Sequence, residues 1–89
     1  MKNTYAVAFV NGEIVDMKML TTERGKHLAH IQVENADGRT SVLIPEKIFR
    51  KTESQLKSSF SARTPILIEG TMERSKAQNT LIAERVAKI

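Results

Sequence analysis

Cysteine is absent from the 89 residues, which excludes disulfide staples, thiolate metal sites and cysteine nucleophiles. The absence suits a reducing compartment. Aromatic side chains are scarce as well: one tyrosine and three phenylalanines leave few platforms for stacking a planar ligand. No apolar run approaches the ~20 residues of a membrane span. The apolar stretch from Tyr5 to Val10 is too short for the core of a signal peptide, so the chain reads as cytoplasmic with no membrane role. A length of 89 residues corresponds to one domain, residues 1–89, with one modest core. So small a core leaves little room for a catalytic cleft beside it, and the expectation tilts towards a binding module.

What the chain does have is positive charge. Fourteen Lys and Arg stand against ten Asp and Glu, giving +4, with a pI near 9.7. Such an excess suits a polyanionic partner. It also suits a small domain that merely needs to stay in solution.

The order of periodic segments is strand, strand, strand, helix, strand, strand, without internal repeats. The first strand spans about Ala6 to Leu20, with Asn11-Gly12 in its middle. That pair can make a hairpin turn or bend one long strand. The bend is preferred, because a hairpin would leave a very short first arm. A polar loop, Thr21 to Lys26, leads to a second strand, His27 to Asn35. There Ala29, Ile31 and Val33 alternate with Leu28, His30, Gln32 and Glu34, as in a half-buried strand with one wet face. Asn35 to Gly38 reads as a hairpin turn, with Asp37-Gly38 the strongest cue. The third strand, Arg39 to Ile44, stops at Pro45.

Glu46 to Phe60 reads as a helix whose apolar stripe is Ile48, Thr52, Leu56 and Phe60, with Phe49 beside it. The fourth strand is Ile66 to Arg74. A polar loop, Ser75 to Asn79, precedes the last strand, Thr80 to about Ala87. Five strands are too few for a sandwich, and closing them into a barrel removes the exposed edges. The expected fold is all-β with one helix: a five-stranded barrel with the helix between strands 3 and 4.

Several local motifs, in order along nearly the whole chain, resemble the OB-fold nucleic-acid-binding family. The nearest likeness is to the OB domains of bacterial DNA polymerase III alpha subunits. Gly12-Glu13-Ile14-Val15 resembles the family's Gly-x-[IV]-[VI] opening, and Thr22-Glu23-Arg24-Gly25-Lys26 its Thr-[KR]-[KR]-Gly-Lys loop. Ala29 to Gly38 resembles its second strand with a Gly turn, and Ile44-Pro45-Glu46 its Phe-Pro-Glu helix start. Ile66 to Gly70 and Leu81-Ile82-Ala83 resemble its last two strands. The chain departs from the pattern at His30, often an aromatic in the family, and at Ile44, often Phe. The resemblance implies binding of single-stranded nucleic acid, DNA before RNA, across strands two and three between the loops joining strands one to two and four to five. It places the protein in a replication or recombination setting.

On that geometry Arg24 and Lys26 in one loop, Arg74 and Lys76 by the other, and Lys18 nearby are candidate phosphate contacts. His30 and Gln32, with Arg39 and either Ser41 or Leu43, form the candidate base-facing surface. Phe9, Phe49 and Phe60 are assigned to the core and Tyr5 to the surface. The segment from Glu46 to Arg63 holds five cations against two carboxylates, a net of +3. It reads as a solvated helix face away from the groove. With few rings to stack on, affinity would rest on charge. No cofactor or metal is implied. His27 and His30, like Glu13 and Asp16, are three apart on a strand and point to opposite faces. No catalytic constellation appears, so the chain is expected not to be an enzyme. The rival expectation is a protein-interaction or dimerisation module within a replication assembly. A homo-oligomer is expected because the long first strand leaves an edge beyond the point of closure.

Overall fold

The computed structural model describes residues 5–74 and 79–88, with the backbone alone for Tyr5, Ala6 and Arg74. The elements follow the expected order: β1 (Tyr5–Thr21), β2 (His27–Asn35), β3 (Gly38–Ile44), α1 (Glu46–Ala62), β4 (Ile66–Arg74) and β5 (Asn79–Lys88). The strands close into a barrel in the order β1-β2-β3-β5-β4, an OB-type arrangement with the helix between β3 and β4. Among the described residues no helix is long and apolar enough to cross a membrane.

Closure depends on β1 serving two neighbours. Tyr5 to Gly12 pair with β4, and Glu13 to Thr21 pair with β2. The handover falls at Gly12, where φ is +150° and an added Cβ would overlap the Glu34 carbonyl oxygen. Only glycine combines that backbone with so close an approach. Asn11-Gly12 is therefore a bend within one strand. Asn35 secures the bend by donating from its Nδ2 to the Asn11 carbonyl at 2.6 Å. Just beyond, Val15 is an extra residue in the ladder. Its insertion shifts the alternation, so that Ile14 and Met17 face the core while Val15 and Asp16 face out.

A second glycine works at the other seam. The β4–β5 register shifts between Glu69 and Gly70, and a Cβ on Gly70 would run into the Ile82 carbonyl. The residue left over is Glu84, which accepts a hydrogen bond from Thr71 Oγ1 at 2.9 Å.

The turn between β2 and β3 spans Asn35 to Gly38, as expected. Asn35 pairs with Gly38, so Ala36 and Asp37 occupy its centre, both with negative φ. The side chain of Asn35 accepts the Asp37 N–H at 2.8 Å, which organises the turn without the left-handed pair that Asp-Gly would supply.

The core is filled from all sides by Val10 and Ile14, by Ala29, Ile31 and Val33, by Val42 and Ile44, and by Ile66, Ile68, Leu81 and Ala83. Helix α1 plugs the barrel with Phe49, Leu56 and Ser59. Phe60, expected in the core, is 39% exposed instead. A series spaced every four residues precesses by about 40° per step around a helix of 3.6 residues per turn. The series Ile48, Thr52, Leu56, Phe60 therefore drifts around the helix and Phe60 ends off the buried face, which is formed by Phe49, Leu56 and Ser59. Phe9 is also not core: it is 64% exposed, beside Val7 at 72%. Val10 and Ala8 point inward from this part of β1, so Val7 and Phe9 are left outside.

The close approach at Gly12 makes a direct forecast. Gly12→Ala should lower stability by about 2–4 kcal/mol, from the positive φ together with the overlap. Urea unfolding should show a lower midpoint at an unchanged slope. A cost below about 0.5 kcal/mol would mean that the bend tolerates a side chain.

Candidate nucleic-acid interface

The outward positions of β1, β2 and β3 line up across the sheet through the strand register. Lys18 lies opposite His30, which lies opposite Leu43; Asp16 lies opposite Gln32, which lies opposite Ser41. The parallel pairing of β3 with β5 extends these rows to Ile82 and Thr80. The result is a shallow surface, apolar along Leu28, Leu43 and Ile82, with His30 half-buried in it. The expected choice between Ser41 and Leu43 dissolves, because both share the outward face with Arg39. Ser41 is 92% covered, and its hydroxyl accepts the Gln32 side-chain amide at 2.9 Å. That bond fixes one amide proton of Gln32 and leaves its carbonyl oxygen for a ligand.

Arg39, on the outward face as expected, has a partner. Its guanidinium pairs with Glu34 directly across the hairpin at 3.1 Å. Both groups are about half exposed, so the pair is weak, and a phosphate can compete for the arginine. The sequence contained the signal: a two-residue turn between Asn35 and Gly38 sets Glu34 opposite Arg39. With Asp16 beside Lys18, the strand surface is close to electrically balanced, and among the described residues cations without an ion-pair partner lie in the β1–β2 loop at one end of it.

The β1–β2 loop forms one end. Thr22 organises it, accepting the Gly25 N–H on its carbonyl and the Lys26 N–H on its hydroxyl, and donating its own N–H to the Lys26 carbonyl. This cage holds Arg24 and Lys26 outward, both exposed and neither in an ion pair among the described residues. At the base of the loop Thr21 Oγ1 and His27 Nδ1 lie 3.2 Å apart, and the His27 N–H donates to Glu46 at 3.2 Å. The start of the helix is thereby tied to the end of the loop. The helix does not sit wholly away from the groove, as its sequence suggested; its first turn adjoins the loop.

The β4–β5 connection leaves from the opposite end of the surface, because Arg74 pairs with Asn79 next to the Thr80–Ser41 row. Lys76, and the side chains of Arg74 and Tyr5, lie outside the described residues. Of the two departures from the family pattern, Ile44 is fully buried and belongs to the core. Only His30 bears on stacking. Among the described residues no three His, Cys, Asp or Glu side chains converge as metal ligands.

No protein-family model and no curated protein matches the chain.

The Thr22 cage predicts a local effect. Thr22→Val removes the hydroxyl that accepts the Lys26 N–H, at a cost of about 1 kcal/mol. Amide exchange should quicken at Lys26 while protection of β2 and β4 stays as it was. Uniform loosening of the whole barrel would show that Thr22 is a global rather than a loop element.

Proposed function

We propose that this protein binds single-stranded nucleic acid, DNA before RNA, as an OB-type module in a replication or recombination setting. The observation that carries the reading is the juxtaposition of an open β1–β2–β3 surface with a hydrogen-bonded loop that presents Arg24 and Lys26. Unpaired bases lie flat on Leu43 and Ile82 beside His30, and the Gln32 carbonyl meets a base edge. Lys18, Arg24, Lys26, Arg74 and Lys76 meet phosphates, and Arg39 joins them when a phosphate displaces Glu34. The fold has no helix positioned to enter a duplex major groove, which favours single strands. With one histidine as the polar ring on the surface, charge supplies most of the affinity.

A salt titration with a labelled oligonucleotide of about six nucleotides tests this, since OB folds cover roughly 4–16. Each phosphate neutralised on a single strand adds about −0.7 to the slope of log affinity against log salt. Engagement of Arg24, Lys26, Arg74 and Lys76 gives a slope of about −3. R24A/K26A should flatten it by about 1.4. Absence of binding to any single strand at low salt would remove the proposal, and tighter binding to duplex would redirect it.

The exposed pair Val7 and Phe9 favours a second reading, in which the barrel docks on a protein partner, here a second copy of itself. Over Tyr5 to Gly12 only β4 pairs with β1, so among the described residues no strand lies along the other edge of this segment. An edge carrying adjacent exposed apolar groups suits antiparallel, two-fold pairing with the same segment of another copy. Light scattering should report a dimer that Phe9→Ser shifts to monomer. A monomeric wild type at high micromolar concentration would eliminate this interface.

A further inference from the structure

The cations of helix α1 are distributed against the interest of the helix. Lys47 lies in its first turn and Arg50 and Lys51 in its second, while the last turn contains no basic residue. The helix dipole disfavours positive charge at the N-terminal end and rewards it at the C-terminal end. None of the three is within ion-pair distance of a carboxylate among the described residues; the ion pair on the helix joins Lys57 to Glu53 at 2.6 Å. All three are exposed. Neither the dipole nor ion pairing accounts for their position.

Their surroundings point to a ligand. The Glu46–His27 hydrogen bond holds this end of the helix against the end of the β1–β2 loop, and Arg50 shares a cleft with His27 there, while Lys47 and Lys51 are exposed on the helix beside it. Between loop and helix lies an open cleft of about 400 Å³ lined by Met19, His27, Phe49, Arg50 and Glu53. Met19 is 48% exposed and, as the strand neighbour of Lys18, lies on the opposite face of β1, so the cleft is reached from the candidate interface by passing around the end of the β1–β2 hairpin. Its floor is apolar, one wall is an imidazole and its rim carries a guanidinium. Glu53, the one carboxylate present, is already paired with Lys57.

We infer that a single strand longer than the barrel surface continues past the β1–β2 loop into this cleft. An unpaired base sits on Met19 and Phe49 beside His27, and the following phosphates lie on Lys47, Arg50 and Lys51. The inference rests on the proposed single-strand binding and extends it from a short surface to a longer, bent path. It assigns a role to charge that the barrel surface leaves unused.

The test compares oligonucleotides of about 6 and about 16 nucleotides on the wild type and on K47A/R50A/K51A. A second variant, R63A/R85A/K88A, removes the same formal charge elsewhere. On the longer strand the helix variant should flatten the salt slope by about 2, three phosphates at about 0.7 each. On the shorter strand it should behave as wild type, and the second variant should leave both slopes nearly unchanged. The urea midpoint of the helix variant should stay level or rise, because cations are removed from an unfavourable end. A helix variant that matches wild type on the longer strand, while R24A/K26A still flattens the slope, overturns the inference and leaves the parent reading standing. Equal flattening by both triple variants overturns it too, since net charge would then suffice. A clear loss of stability would show that the cations serve the fold. No binding by the wild type to either length ends both readings.

Discussion

The close approach of Gly12 to Glu34 is the contact on which the barrel depends. A strand of seventeen residues cannot pair with β4 and then β2 unless it changes direction sharply. The change requires the chain to pass directly under a carbonyl of its neighbour. Asn35 reinforces the crossing from the adjacent hairpin, so a single locality contains the bend, its clamp and the β2–β3 turn. Everything on the β1–β2–β3 surface inherits its register from there. Lys18 faces His30 because β1 leaves the bend in one alignment rather than the next, and Gln32 reaches Ser41 because the adjoining turn sets the β2–β3 register; a slip by one residue in either strand would turn its outward groups into the core.

Charge is distributed unevenly over this frame. The strand surface is nearly balanced, through Arg39 with Glu34 and Lys18 near Asp16, while the β1–β2 loop and the adjoining helix turns carry cations without partners. A surface of this kind supplies shape and hydrogen bonds at its centre and attraction at one end. Long-range attraction of a polyanion would therefore begin at the loop, with the flat surface engaged afterwards.

Much of this was legible from the chain. The alternation of β2 was correct residue by residue, because the extra residue in the β1–β2 ladder falls on β1 and leaves β2 with a strict period of two. The helix and the barrel order followed from segment lengths and from Gly and Pro placement. The errors have physical causes. Val7 and Phe9 are apolar residues on the outside of a strand whose parity is fixed by Val10, which hydrophobicity alone cannot reveal. Phe60 fell outside the buried stripe because a four-residue spacing is not the helical period. The approach of the helix to the β1–β2 loop was out of reach, since it depends on Glu46 bonding a backbone group nineteen residues away.

The barrel is closed by its shortest seam. β3 and β5 meet in parallel over three residue pairs, Ser41 with Thr80, Val42 with Leu81 and Leu43 with Ile82. Parallel pairing is slightly weaker per residue than antiparallel, and these contacts join parts of the chain about forty residues apart. This seam is thus the natural place for the cylinder to part. It runs through the middle of the surface that carries Gln32, Leu43 and Ile82. A chain laid across that surface would span the joint as a splint spans a fracture, and its departure would return the barrel to its own weaker closure. Occupancy and mechanical integrity are in this way properties of the same few residues.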